Sequence, residues 1–161
     1  MHYKKLSKKQ AATILAKAWN HLDASLIEPY IAEDIIYWSQ EVLTDMTGKK
    51  AVMNYLTDKM ETIRKSSADQ VFAELGETKP YPMAPGPAEP CVILARGHKD
   101  NVGALALLRI ESNKISSIGI CSDAPHPSTA KRSGEYPQYQ VWGFALRATT
   151  PQAGLKVQRR I

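Results

Sequence analysis

AEDIIYWSQEVLTDMTGKKAVMNYL, residues 32–56, is the stretch on which the reading of the whole chain turns. From Ile35 to Val42 β-branched and aromatic residues crowd together, which favours a strand over a helix. Its two faces are Ile35, Tyr37, Ser39 and Glu41 against Ile36, Trp38, Gln40 and Val42. Both carry large apolar groups, so alternation leaves open which one is inward. A Gly-containing break follows, and Thr47 or Gly48 can then begin a helix in which Val52, Tyr55, Leu56, Met60 and Ile63 recur at three- and four-residue spacing. On that helix Glu61 precedes Lys65 by one turn, the spacing of a favourable surface pair. Tyr37, Trp38, Gln40 and Tyr55 are the residue types that line the mouth of a pocket, and convergence of the four is the first expectation.

Upstream, Ser7 with Gln10 three positions later forms a capping box, the local signature of a helix that starts just after Ser7. Ala11, Ile14, Leu15, Ala18, Trp19 and Leu22 make one apolar stripe along it. Trp19 therefore reads first as a core residue, and His21, off the stripe, as a surface residue. Asp23 can cap a short segment containing Leu26 and Ile27, with Pro29 near the start of its turn.

Downstream, Ser66 and Ser67 allow the second helix to end, and Val71–Leu75 alternates as a half-buried strand. Five prolines between Pro80 and Pro90 are incompatible with a helix or an inner strand. This segment reads as a long exposed loop bridging two strands rather than covering a cavity, with Tyr81 and Met83 its notable side chains. Three apolar runs follow, Cys91–Lys99, Val102–Glu111 and Ile115–Asp123, separated by turn-forming residues, and they read as an antiparallel meander. A turn at Ser112 and Asn113 would set Glu111 opposite Lys114, Arg109 opposite Ser116, Leu107 opposite Ile118 and Leu105 opposite Ile120. The other face would then carry Ala104, Ala106, Leu108, Gly119, Cys121 and Asp123, small side chains that leave space beside an acid.

The chain has 161 residues, enough to bury the core of a single domain. Hydrophobic residues at 43% and charged residues at 23% are ordinary for a globular protein and exclude a disordered chain. No apolar run approaches the roughly 18 residues of a transmembrane helix, and Lys17 interrupts the early apolar repeat where a secretory signal would be unbroken. A cytoplasmic protein without membrane attachment is expected. The net charge of +5 owes much to Lys4, Lys5, Lys8 and Lys9 at one end and Lys156, Arg159 and Arg160 at the other. These runs have no interleaved aromatic residues, and nucleic acid is not expected as a partner. Cys91 and Cys121 have no metal-ligand spacing and read as buried free thiols, with one disulfide as the alternative. No phosphate loop or nucleophile elbow is present, and neither a metal nor a cofactor is expected.

The order long helix, short helix, strand, long helix and antiparallel strands, with AEDIIYWSQ, TGKKAVMNYL and NKISSIGICSD (residues 113–123) as its specific echoes, resembles the nuclear transport factor 2-like superfamily. The likeness is to its SnoaL-like and ketosteroid isomerase-like branch and covers residues 7–124. It implies an α+β fold: a curved antiparallel sheet wrapped around N-terminal helices, a cystatin-like α+β barrel with a conical pocket for a small hydrophobic ligand, often a homodimer through the sheet. Asp123 matches the terminal acid with which SnoaL-like cyclases transfer a proton. An acid in an apolar pocket would have a raised pKa suited to that work, with Tyr37 or Tyr55 donating to the developing enolate oxygen. An Asp before Ala-Pro at a strand end is also an ordinary turn residue. Trp19, Trp38, Gln40, Arg96, His98 and Trp142 complete the candidate ligand-binding set. The epoxide hydrolase branch would need an Asp, Arg, Asp cluster, of which Asp123 and Arg96 could supply two. A noncatalytic binding or dimerisation module of the same fold is the alternative function. The domain is taken as residues 1–126. Residues 127–161 form an extension with an edge strand at YQVWGFALRAT, residues 139–149, and a basic tail.

Overall fold

A computed structural model describes residues 5–66, 70–79 and 86–138. Ser7 and Gln10 form the capping box in both directions, and α1 runs Lys8–His21 with Ala11, Leu15, Ala18 and Trp19 buried. Asp23 accepts from the Ser25 N–H and caps the short turn Ala24–Leu26. Then come β1 (Ile31–Ser39), β2 (Val42–Thr47), α2 (Lys49–Lys65), β3 (Val71–Thr78), β4 (Glu89–Arg96), β5 (Val102–Glu111), β6 (Lys114–Cys121) and β7 (Lys131–Arg132). The first strand begins at Ile31 rather than Ile35, and the expected break after it is half of a β1–β2 hairpin. Exposed β2, with only Met46 half-buried, has little hydrophobic alternation to reveal it. Gly48, at φ +103°, ends the hairpin and caps α2. On α2 Glu61 meets Arg64 at 3.8 Å, where the sequence pattern pointed to Lys65.

The strands form one curved, unclosed sheet in the order β2-β1-β6-β5-β4-β3-β7. It is mixed rather than wholly antiparallel, because β1 lies parallel to β6. That pairing follows from the intervening chain, which packs α2 on the face where α1 already lies and then returns as a meander. Ile35 and Tyr37 point to the helices and join the core, while Ile36 and Trp38 point away.

The β5–β6 turn is where expected. Ser112 and Asn113 both have positive φ, 49° and 65°, as a two-residue hairpin connection requires, and Glu111 faces Lys114. Beyond Ile110 and Ile115 the register slips by one, so Arg109 faces Ser117, Leu107 faces Gly119 and Leu105 faces Cys121. Ser116 is the extra residue of a β-bulge. It lets Ile115 and Ile118 both enter the core, which strict alternation forbids. The small residues Gly119 and Cys121 consequently share a face with Leu105 and Leu107 rather than with Ala106 and Leu108.

This outer face is covered in part by the chain itself. After β6 residues 122–133 cross it, with the turn Pro127–Thr129 over β5, Ala130 against the Cys91, Ile93 and Leu105 cluster, and β7 paired to β3. Buried Glu74 anchors the crossing. Its carboxylate accepts from Arg132 Nε (2.8 Å), the Gly134 N–H (2.7 Å) and the Tyr136 hydroxyl (3.2 Å), while Arg132 also donates to Asp100 (3.0 Å). Asn20 on α1 donates to the Pro137 carbonyl at 2.7 Å. The extension thus begins by returning to the sheet and supplies its edge strand at β7. The strand expected at residues 139–149 lies outside the described residues.

Gly76 sits where β7 crosses β3, and a Cβ there would strike the Ile93 side chain and approach the Lys131 carbonyl to 2.9 Å. Backbone on one side and a filled core on the other cannot yield together, so Gly76→Ala should destabilise the protein by about 1–3 kcal/mol in urea titration. An unchanged midpoint would show that the crossing is loosely held. His21, expected at the surface, is half-buried, and burial lowers its pKa, opposed by Asp23 and assisted by Lys17. The unfolded chain accepts the proton near about 6.5 and the folded one resists it. Its contribution to stability is therefore present above that pH and lost as the pH falls through it. Between pH 7.5 and 5.5 the wild type should lose more stability than His21→Gln, and equal losses would refute the assignment.

Candidate functional site

The structure separates the residues that the sequence pattern grouped. Tyr37 and Tyr55 meet on the helix-facing side with ring centroids 5.3 Å apart, and Lys59 lies 5.9 Å from the Tyr55 ring. Burial, reinforced by Tyr55, raises the Tyr37 pKa well above the ordinary phenol value. Trp19 is also core on this side, only 5% exposed. The interior there is occupied by packed side chains, including Leu15, Leu56, Met60 and Ile118.

Trp38 points the other way. Parallel pairing sets it beside Gly119, and its indole Cε2 and Cζ2 occupy the place that a Cβ at Gly119 would take. Gly119 is therefore required by the ring's close approach. Gln40 holds the chain together locally. Its Oε1 accepts from the N–H groups of Ser122 (2.8 Å), Asp123 (2.7 Å) and Ala124 (3.3 Å), and its Nε2 donates to the Ala124 carbonyl (2.6 Å). This one side chain shapes the turn that leaves β6. Asp123 is exposed within that turn, and it does not sit in an apolar pocket with Tyr37 and Tyr55. Arg96 and His98 lie at the β4–β5 turn, both exposed, with His98 Nδ1 accepting from the Asp100 N–H at 3.1 Å. Trp142 lies outside the described residues.

What the fold assembles instead is a groove of about 470 Å³ on the outer face. Trp38, Leu107, Cys121 and Pro125 supply its apolar surface, and Lys8, Lys79, Arg109 and Glu89 its charges. Arg109 follows from strand parity, since two residues along β5 it projects on the same side as Leu107. Lys8 at the start of α1 is already engaged by Glu89 at 2.6 Å. Cys91 and Cys121 are both buried free thiols, and burial, with Glu77 and Glu74 adding to it, pushes Cys91 up to about 12. Of the groove residues only Trp38 belongs to the candidate site read from the sequence. Arg109 could have been found by treating Leu107 and Arg109 as one strand face, but Lys79 and Lys8 come from other parts of the chain.

A second recess of about 940 Å³ beside α1 is walled by Lys5, Lys9, Lys17 and Lys114. Lys114 already donates to the Pro29 carbonyl at 2.8 Å, and Lys5 and Lys9 belong to the basic run at the amino-terminal end. Among the described residues no His, Cys, Asp and Glu cluster could hold a metal ion, and no helix is long and apolar enough to cross a membrane.

No protein-family model matches the chain, and no curated protein matches it. Its solved structural neighbours include a SnoaL-like protein of unknown function from Burkholderia thailandensis, with a TM-score of 0.51 at 13% identity over 81% of this chain and 100% of that one. A cystatin-fold protein from Novosphingobium aromaticivorans has a TM-score of 0.49 at 17% identity, over 71% and 97% of the two chains. An LEH-like epoxide hydrolase of M. tuberculosis has a TM-score of 0.45 at 10% identity, over 73% and 83%. At 13% identity the likeness to the SnoaL-like structure shows the fold alone, an α+β architecture of helices packed on a curved sheet.

Proposed function

We propose that this chain is a noncatalytic binding protein of the nuclear transport factor 2-like fold, and that it takes a small apolar-bodied molecule in the groove on the outer face of its sheet. The observation that carries this reading is the groove itself, a cavity of about 470 Å³ with Trp38 in its wall. That volume lies within the roughly 300–1,000 Å³ of small-molecule sites. The proton-transfer alternative has less support. It calls for a carboxyl shielded from water beside a hydrogen-bond donor, whereas Asp123 is exposed and Tyr37 is buried against Tyr55.

Thermal-shift screening of apolar compounds tests this reading. A ligand at a hundred times its Kd should add about 2.7 kcal/mol of stability. The stabilisation should persist in Asp123→Asn and be lost in Trp38→Ala. Binding that survives Trp38→Ala and vanishes in Asp123→Asn, or turnover that requires Asp123, would overturn it.

The homodimer belongs to the same proposal. Residues 122–133 take up much of the outer face of β3–β5, leaving the β1–β2 hairpin for a partner copy. Three of the four exposed large apolar side chains among the described residues are there: Ile36, Val42 and Leu43, the last fully exposed. Sedimentation velocity should show a dimer that Leu43→Asp dissociates, and a wild-type monomer at all concentrations would refute this contact.

A further inference from the structure

We infer that the groove selects anionic amphiphiles, molecules with an apolar body and one terminal carboxylate-type group, over neutral molecules of the same shape. The inference rests on the proposed binding function and goes beyond it by stating the charge of the ligand. Three cations line the groove, Lys8, Lys79 and Arg109, against one carboxylate, Glu89. Glu89 is 2.6 Å from Lys8, so that pair is internally neutralised. Lys79 and Arg109 remain, and neither is paired with a carboxylate among the described residues.

The two kinds of surface meet along β5. Leu107 and Arg109 are successive residues on the outer face, across from Gly119 and Ser117, and Trp38 lies over Gly119. An apolar body lying against Trp38, Leu107 and Pro125 would therefore end beside the Arg109 guanidinium. That group offers a planar fork matched to the two oxygens of a carboxylate. Arg109 is exposed, so this attraction should weaken as salt is added. A neutral molecule of the same shape would leave the cation without its partner, and this difference is the source of selectivity.

Isothermal titration with 2-naphthoate, octanoate and their neutral amides, 2-naphthamide and octanamide, distinguishes the charge inference from the groove reading. At least one carboxylate should bind the wild-type chain at least tenfold more tightly than its amide. Arg109→Gln should bring the two to within about threefold, and Trp38→Ala should weaken both. Far-ultraviolet circular dichroism should confirm that both variants are folded. Should Arg109→Gln fail to fold, Arg109→Lys takes its place and should keep the preference for charge while weakening binding, because lysine retains the cation and loses the fork. Should Trp38→Ala fail to fold, Leu107→Ala takes its place and should likewise weaken both. An amide that binds as tightly as its acid, or a preference unchanged in Arg109→Gln, overturns the anionic inference and leaves the groove standing. If no probe binds the wild type, or Trp38→Ala changes nothing, the groove reading fails and the inference with it.

Discussion

One extra residue in β6 governs both faces of the sheet. Side chains along a strand alternate strictly, so a single inserted residue turns over everything beyond it. Ser116 is that residue, and across it Ile115 and Ile118 both enter the core while Gly119 and Cys121 go to the outside. β1 pairs in parallel with β6 and shares its faces beyond the bulge: Tyr37 lies beside Ile118 on the inward side, and Trp38 beside Gly119 on the outward side. The absence of a side chain at Gly119 lets the indole settle on the sheet, and with Leu107 and Arg109 on the neighbouring strand the groove has its floor.

The wall above that floor depends on a second constraint, the burial of Glu74. A carboxylate 2% exposed is strongly unfavourable unless its oxygens are satisfied. Here a guanidinium, a backbone N–H and a phenol satisfy them, all from the segment that has crossed the outer face. The acid and the crossing segment therefore stabilise each other. Loss of Arg132 would leave a buried charge with reduced compensation, not merely a broken surface ion pair. The network holds the far end of the crossing. Gln40 acts at the near end, where its amide oxygen gathers three successive N–H groups.

The same two devices explain why the residues grouped by type do not all meet in one place. Tyr37 and Trp38 are adjacent in the chain and therefore on opposite sides of a strand, one in the core and one in the groove. Asp123 has the look of an acid at the closed end of a cone because unbroken alternation through β6 would set it beside Ala106 and Leu108. The bulge and the turn shaped by Gln40 bring it instead to the surface. Arg109 and Lys79 carry no local signal of function, since an Arg next to a hairpin and a Lys beside a proline-rich segment look like any solvated cation. Their meaning comes from sharing a cavity.

Much of the architecture was legible in the amino-acid order. The capping box at Ser7 and Gln10, the stripes of α1 and α2, the Ser112–Asn113 turn and the meander are local patterns, enforced by backbone hydrogen bonding and by the periods of helix and strand. Together they specify two long helices and an antiparallel meander, and the curved sheet around the helices is what the family resemblance implied. The short hairpin strand β2 escaped because its exposed residues leave no such period. Tertiary structure alone decided which face of β1 is inward, where β6 bulges and how residues 122–136 return across the sheet. These depend on side chains far apart in sequence: Trp38 against Gly119, Gln40 with the N–H groups after β6, and Glu74 with Arg132. The position of the groove follows from those contacts, because a single-residue shift in a strand is nearly silent in sequence yet exchanges the two faces of the sheet.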